Sequence, residues 1–241
     1  MRTDYLRAET VLVEAERIAT AAEDFDTLSR LYMPLQEARR QRRQRCGEGM
    51  VVLDLIASGP QQQPDSEQII SQYPHGQLLV AGWGNIDAAV RVRQMQVERQ
   101  LYVETFLGAT YPTRDGPAIV LVPLADIPLP RAETTSRLSI DEFRASLPAY
   151  CVVLRTSDLP RGPRKGTWKT YAEVMDLWER LHLPYLQAAD AGADPFRKIE
   201  GYRRTIEVDY ACELAHQKLS AVAHEVARDK LRPMATDREA R

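Results

Sequence analysis

Five short apolar runs alternate with helical patterns along the middle of the chain, and this alternation restricts the fold more than any other feature. The runs are rich in Val, Leu and Ile and read MVVLDLIAS, QLLVAGW, LYVETFLG, AIVLVPLA and AYCVVLRT. Helical patterns separate them at residues 65–72, 85–99 and 139–147. Strands that alternate with helices are typical of a mainly parallel sheet covered on both faces. The sequence therefore predicts an α/β fold.

The link between the third and fourth runs is PTRDG, which is too short for a helix and suits a hairpin. One strand is therefore expected to be antiparallel. We predict a mixed, mostly parallel central sheet of about five strands with flanking helices.

The two ends of the chain carry helical patterns of their own. Residues 1–47 predict an N-terminal helical hairpin, and residues 48–160 form the sheet core. Residues 161–241 contain a basic loop and two C-terminal helices, predicted at about 168–190 and 196–230. We expect these three segments to pack as one compact unit.

The charge balance disfavours two classes of partner. The 241 residues include 32 Lys and Arg against 34 Asp and Glu, which gives a net charge of −2. A chain this close to neutrality does not as a whole attract nucleic acid or an anionic membrane. No stretch approaches 18 consecutive apolar residues, so the sequence predicts no membrane span.

The cysteines and the first residues of the chain indicate the cellular compartment of the protein. Cys46, Cys151 and Cys212 lie far apart with no CxxC spacing. An odd number of cysteines without a framework favours a reducing compartment. The first residues place charges among apolar positions and lack the continuous apolar core of a signal peptide. We therefore expect a cytoplasmic location.

A strand, then Gly82-Trp83-Gly84-Asn85, then a helix is a layout that binds phosphate. Glycines let the backbone approach an anion closely, and a helix N-terminus offers unpaired N–H groups. The dinucleotide fingerprint GxGxxG would need a third glycine where Asp87 stands. The alternative is a tight strand-to-helix turn in which Asn85 caps the helix. Both interpretations fit the sequence.

A basic loop, LPRGPRKGTWKTY at residues 159–171, follows the last apolar run and precedes a helix. It carries Arg161, Arg164 and Lys165, and Thr167 suits the N-cap of that helix. If the strands run parallel, this loop and the glycine turn share the carboxyl edge of the sheet, where open α/β proteins bind ligands. The alternative is a solvated basic loop.

The two loops together give the leading hypothesis, a site for an anionic small molecule at the strand carboxyl edge, with a phosphorylated one favoured. The candidate ligand-binding residues are Gly82, Gly84, Asn85, Arg161, Arg164, Lys165 and Thr167.

Two carboxylates stand inside apolar strand runs, Asp54 in the first and Glu104 in the third. A carboxylate in a buried strand is costly unless it is paired. Both are candidates for a polar or acid–base role at the site. The alternative for Asp54 is a partner such as a backbone amide or an arginine.

Five arginines crowd into the stretch ARRQRRQRC at the end of the second predicted helix. They can complement the helix dipole and pair with the acid-rich first helix. The alternative is a contact with RNA, phosphate or an acidic partner, although the aromatic residues that stack on nucleic-acid bases are missing from this stretch. These residues are Arg39, Arg40, Arg42, Arg43 and Arg45.

Two Glu-x-x-His pairs lie in the C-terminal helical region, Glu179 with His182 and Glu213 with His216. Residues three apart share a helix face, and this spacing supplies ligands in carboxylate-bridged metal bundles. Asp209, one turn before Glu213, adds a fifth candidate ligand. The alternative is a set of semi-buried polar residues satisfied within and between helices.

No stretch carries the signature of a known family, and the sequence identifies neither a reaction nor a cofactor. The second hypothesis is a non-catalytic interaction protein that docks a protein partner through its terminal helices. The third is the carboxylate–histidine metal site.

Overall fold

Each of the five apolar runs forms a β-strand in the computed structural model, which describes residues 4–239. A sixth strand joins them, so the sheet in this part of the chain is larger than the predicted five strands. In chain order the strands are β1 (Met50–Ile56), β2 (Gly76–Trp83), β3 (Val103–Tyr111), β4 (Ala118–Val122), β5 (Val152–Arg155) and β6 (Arg164–Lys165). Side by side their order is β5-β4-β3-β2-β1-β6.

The sheet is mixed, and the expectation that it is mostly parallel is wrong. β1, β2 and β3 run parallel, whereas β4, β5 and β6 all join antiparallel to their neighbours. The hairpin predicted at PTRDG accounts for β4. β6 is only two residues long, so it has no alternating pattern that a sequence could display.

Helices cover most of the remaining chain. Between residues 4 and 239 they are α1 (Tyr5–Ala21), α2 (Phe25–Glu48), α3 (Ser66–Gln72), α4 (Asp87–Glu98), α5 (Ile140–Ser146), α6 (Trp168–Asp190), α7 (Pro195–Val208) and α8 (Glu213–Glu239). Within these residues no helix combines the length and the apolar character needed to cross a membrane.

The predicted helix at 196–230 is in fact two helices, because the chain breaks between α7 and α8. Asp209 stands at the break, and its carboxylate accepts a hydrogen bond from the amide of Ala211 at 3.1 Å. The same carboxylate lies 2.7 Å from Nδ1 of His182. These contacts turn the chain, whereas the apolar periodicity continues across the break and gives no sign of it.

The described residues divide into two compact units. The helical unit contains the described residues up to Arg42 and those from His182 onward. The sheet unit is Arg43–Leu181. Helices α1, α7 and α8, most of α2 and the last turns of α6, which the sequence placed in separate segments, thus belong to the same unit.

The helical unit has an apolar core built from both ends of the chain. Leu28 and Tyr32 of α2 are buried in it with Tyr202 of α7 and with Ala215 and Leu219 of α8. Apolar burial of this kind supplies most of the stability of helices that are marginal in isolation.

One face of the sheet carries an apolar core under α3, α4 and α5. Val80 and Leu107 of the sheet are buried with Ile70, Met95 and Phe143 of the three helices. Apolar side chains here alternate with those that point to the opposite face, as the pleat of a strand requires.

The opposite face buries a charge. Glu104 of β3 accepts hydrogen bonds on Oε1 from Nε and Nη2 of Arg43, at 2.8 and 2.6 Å. Its other oxygen accepts from Nε2 of Gln77 on β2 at 2.7 Å. The Arg43 guanidinium also lies 5.0 Å from the ring of Trp178, which stacks on Phe106. Arg43 and Gln77 thus provide hydrogen-bond partners for both oxygens of this buried carboxylate.

Removing Arg43 should destabilise the protein strongly, because Glu104 would then be a buried charge without its cation. We expect Arg43→Met to lower the free energy of unfolding by about 3–5 kcal/mol in urea. The control is Arg45→Met, since Arg45 and Glu48 are both about half exposed; it should cost at most about 1 kcal/mol. Equal losses in the two variants would contradict a structural role for the buried pair.

Candidate anion-binding cleft

A cleft of about 590 Å³ opens in the sheet unit. β1, β5, α5 and α6 line it together with the chain that leads from β5 to β6. Its lining residues are Leu53, Ile140, Arg144, Val153, Leu154, Arg155, Asp158, Leu159, Pro160, Arg164, Glu173, Leu177 and Arg180.

The curl of the sheet creates this cleft. β4, β3 and β2 separate β5 from β1 in the ladder, yet residues of both β1 and β5 line the same space. The sheet therefore bends into a half-barrel, and residues 156–163 bridge its open side on the way to β6. No local sequence spacing could bring these residues together, because they come from five separate stretches.

The lining carries an excess of positive charge. It holds four arginines against two acids, a difference of +2. Among the described residues, Arg144 and Arg180 pair with acids on their own helices alone, Asp141 at 2.7 Å and Asp176 at 3.9 Å. Sequence analysis missed these arginines, as well as Arg155. The one feature of the sequence that could have indicated a role for these residues is that Arg155 lies at the end of a strand.

Arg164 is the most buried cation of the cleft. Its Nη1 atom donates to Oε2 of Glu173 at 2.6 Å, and its side chain is 25% exposed. Its Nε and Nη2 atoms are buried and have no hydrogen-bond partner among the described residues. These two nitrogens form one edge of the guanidinium fork, which matches a carboxylate or phosphate group. Arg43 uses the same edge to bind Glu104.

Known proteins offer no guide to this cleft. No family model, curated protein or solved structure matches this chain. The function must therefore be argued from the chemistry of the site itself.

The structure does not bring the basic loop to the glycine turn. β6 runs antiparallel to β1, with Arg164 opposite Val51 and Lys165 opposite Met50, so both cations lie beside the amino half of β1. The glycine turn follows the carboxyl end of β2. The prediction that the two loops share one edge of the sheet is therefore wrong, because the chain runs back along β1 as β6 before α6 begins.

The glycine turn satisfies its own polar groups. The amide of Gly84 donates to the carbonyl of Thr110, and that of Trp83 donates to Gln63. Oδ1 of Asn85 accepts from the amide of Asp87 at 3.1 Å, but the N-cap of α4 is Ile86, so the prediction that Asn85 caps this helix is wrong. A Cβ on Gly82 would lie 2.8 Å from the carbonyl oxygen of Asn85, so the tight turn itself requires a glycine there.

The other loop residues have separate surroundings. Oδ2 of Asp54 accepts a hydrogen bond from the amide of Gly162 at 2.7 Å, which ties the basic loop to β1. Arg161 does not line the cleft, and Lys165 lines a different cavity of about 420 Å³ near His75. Thr167 accepts from the amide of Thr170 at the start of α6. Of the predicted ligand-binding residues, only Arg164 lies in the cleft.

All five clustered arginines have carboxylate partners. In the helical unit Glu9 of α1 binds Arg39 at 3.1 Å and Arg42 at 2.8 Å, with all three side chains nearly buried. Arg40 pairs with Glu37, Arg45 with Glu48 and Arg43 with Glu104. The pairs with Glu9 are those predicted between the cluster and the acid-rich first helix.

The two Glu-x-x-His pairs do not assemble a metal site in the described part of the chain. No three His, Cys, Asp or Glu side chains there are arranged to hold a metal ion. His182 pairs with Asp209, whereas Nε2 of His216 lies 3.1 Å from Nη1 of Arg39. Glu179 and Glu213 are both exposed, so neither carboxylate faces the core.

The two histidines have opposite pKa shifts. Burial disfavours the charged ring of His182, but its bonds to Asp209 and Cys212 outweigh burial and raise its pKa to about 9. Burial lowers the pKa of His216 to about 4; the carbonyl of Cys212 opposes this shift and the charge of Arg39 adds to it.

The free energy of unfolding should therefore be greatest near pH 6.5, the pKa of an unfolded histidine. His182 stabilises the fold fully below that pH, and its contribution is lost as the pH rises to 9. His216 makes its full contribution to the stability of the fold above pH 6.5, and this contribution is lost as the pH falls toward 4. In a plot of the free energy of unfolding against pH, we expect His182→Gln to reduce the loss of stability on the alkaline side. His216→Gln should reduce the loss on the acid side. An NMR titration that puts both rings near 6.5 would refute this.

Proposed function

We propose that the protein binds an anionic small molecule in the cleft that contains Arg164. The observation that supports the proposal is the unpartnered edge of this buried guanidinium. A buried donor without a partner costs roughly 1–3 kcal/mol, and more when it is charged. Both nitrogens are shielded from solvent, so an anion reaches them when the Arg164 side chain turns toward the cleft. It then removes this cost and balances the positive charge of the lining.

The ligand group that fits is a carboxylate or a phosphate. Both present two oxygens at the spacing of the guanidinium edge. The cleft volume of about 590 Å³ lies in the range of small-molecule sites. The glycine turn has no part in this proposal, because Gly82, Gly84 and Asn85 do not line the cleft.

The interaction hypothesis has a weaker basis. α1 exposes Val11 and Ile18, two turns apart on one face, with 63% and 56% of their surface accessible. Singly exposed apolar residues are common on protein surfaces. The arginines that this hypothesis also used are all paired with carboxylates. Docking of a protein partner through the terminal helices thus stays a prediction. We prefer the hypothesis that the cleft binds an anionic small molecule.

Substitution of Arg164 should weaken anion binding. We expect the unmodified protein to bind inorganic phosphate, measured by calorimetry at constant ionic strength. Arg164→Gln should weaken binding about 10–100-fold, the value of a hydrogen-bonded charge pair. Lys165→Gln is the matched control, since it removes the same charge one residue away and outside the cleft. Equal losses in both variants, or no binding to the unmodified protein, would refute the site.

Substitution of Glu173 should have the opposite effect. Its carboxylate holds Nη1 of Arg164 and repels an incoming anion. Glu173→Gln keeps an oxygen that can accept from Nη1 and removes the negative charge. Phosphate affinity should rise about fivefold, the value of one charge at about 4 Å in water. Unchanged or weaker binding to a folded Glu173→Gln protein would argue against an anion at Arg164.

A further inference from the structure

We infer that the ligand of the cleft is an anion joined to an apolar body, such as an alkyl or aryl carboxylate or a phosphate monoester. This inference rests on the proposed function, because it takes Arg164 as the site of the anionic group. It adds the chemical class of the rest of the molecule.

Apolar residues form more than half of the cleft wall. β1, α5, β5, the following loop and α6 all contribute them, so apolar surface borders the cleft on each of these elements. Water against such surface is released favourably when an apolar group covers it. These residues are Leu53, Ile140, Val153, Leu154, Leu159, Pro160 and Leu177.

The size of the cleft also indicates a larger molecule than a free inorganic anion. A volume of about 590 Å³ is many times the roughly 30 Å³ that one water occupies in the liquid. A phosphate or acetate ion bound at Arg164 would leave most of this space filled with water against the apolar wall. A body attached to the anionic group would displace that water.

The distribution of charge indicates a single buried anionic group. Arg164 is 25% exposed, whereas Arg144 and Arg180 are about half exposed. A second anionic group deep in the cleft would therefore lie against apolar side chains without a cation. Burying an unpaired charge in this way costs several kcal/mol. A single anionic head group on an apolar body avoids the cost.

A chain-length series tests the inference. We would titrate the full chain by calorimetry with acetate, butanoate, hexanoate and octanoate at constant ionic strength, with hexan-1-ol as the uncharged control and hexyl phosphate as the second head group. The affinity should rise by up to about fourfold for each added methylene, the transfer value of one buried CH₂. Hexanol should bind far more weakly than hexanoate.

The outcomes separate the two proposals. Binding that is independent of chain length but is lost in Arg164→Gln would overturn the apolar body and leave the anion site standing. No binding by any probe, or equal binding of hexanol and hexanoate, would overturn both. Chain-length dependence that persists unchanged in Arg164→Gln would place the alkyl chain elsewhere on the protein and overturn the inference.

Two variants locate the alkyl chain. Leu159→Ala should weaken hexanoate about tenfold, in proportion to the methyl groups removed, and leave acetate unchanged. Pro160→Ala, a second change in the same wall, serves if the first variant does not fold. Leu183→Ala is the control, because Leu183 is 39% exposed and lies outside the cleft. Equal weakening of acetate and hexanoate by the wall variants would overturn the inference.

Discussion

The ion pair between Arg43 and Glu104 is the constraint on which the sheet unit depends. Both charges have left water, so their attraction and their hydrogen bonds must offset a desolvation cost of several kcal/mol for each ion. Gln77 and the face of Trp178 complete the surroundings of the pair. The geometry is therefore demanding, because Arg43 at the end of α2 and Trp178 in α6 must keep fixed positions over β3.

Arg43 and Arg164 show what an arginine needs when it is buried in this unit. In Arg43 the Nε and Nη2 edge is saturated by a carboxylate of the same chain. In Arg164 the same edge has no acceptor among the described residues, and only Nη1 is used. The first arrangement is complete within the fold. The second is incomplete within the fold, and this difference is the physical basis for proposing a ligand at one arginine and a structural role for the other.

The sequence predicted the elements better than their assembly. Periodicity found five strands and the helices that separate them, because each element is long enough to repeat its pattern. The sequence did not predict β6, because two residues are too few to show a period. It did not predict the break at Asp209 either, because that break depends on His182, which is distant in the chain. The backbone partner of Asp54 followed from local chemistry, whereas Ile86 and not Asn85 stands at the N-cap of α4. The cleft could not be predicted from the sequence, because the curl of the sheet sets the distance between β1 and β5. Arg164 was found only because its neighbours in sequence are also cations.

The short strand β6 has a consequence for the folded chain as a whole. It lies along the outer side of β1 and pairs with Met50 and Val51, so those residues of an apolar strand are not left with unpaired backbone groups. An unpaired strand edge is a template on which a second molecule can add its own strand. The loop that carries the cleft arginine therefore also covers the edge of β1 at Met50 and Val51. Changes in this loop are constrained twice, once by the charge it presents and once by the backbone it covers.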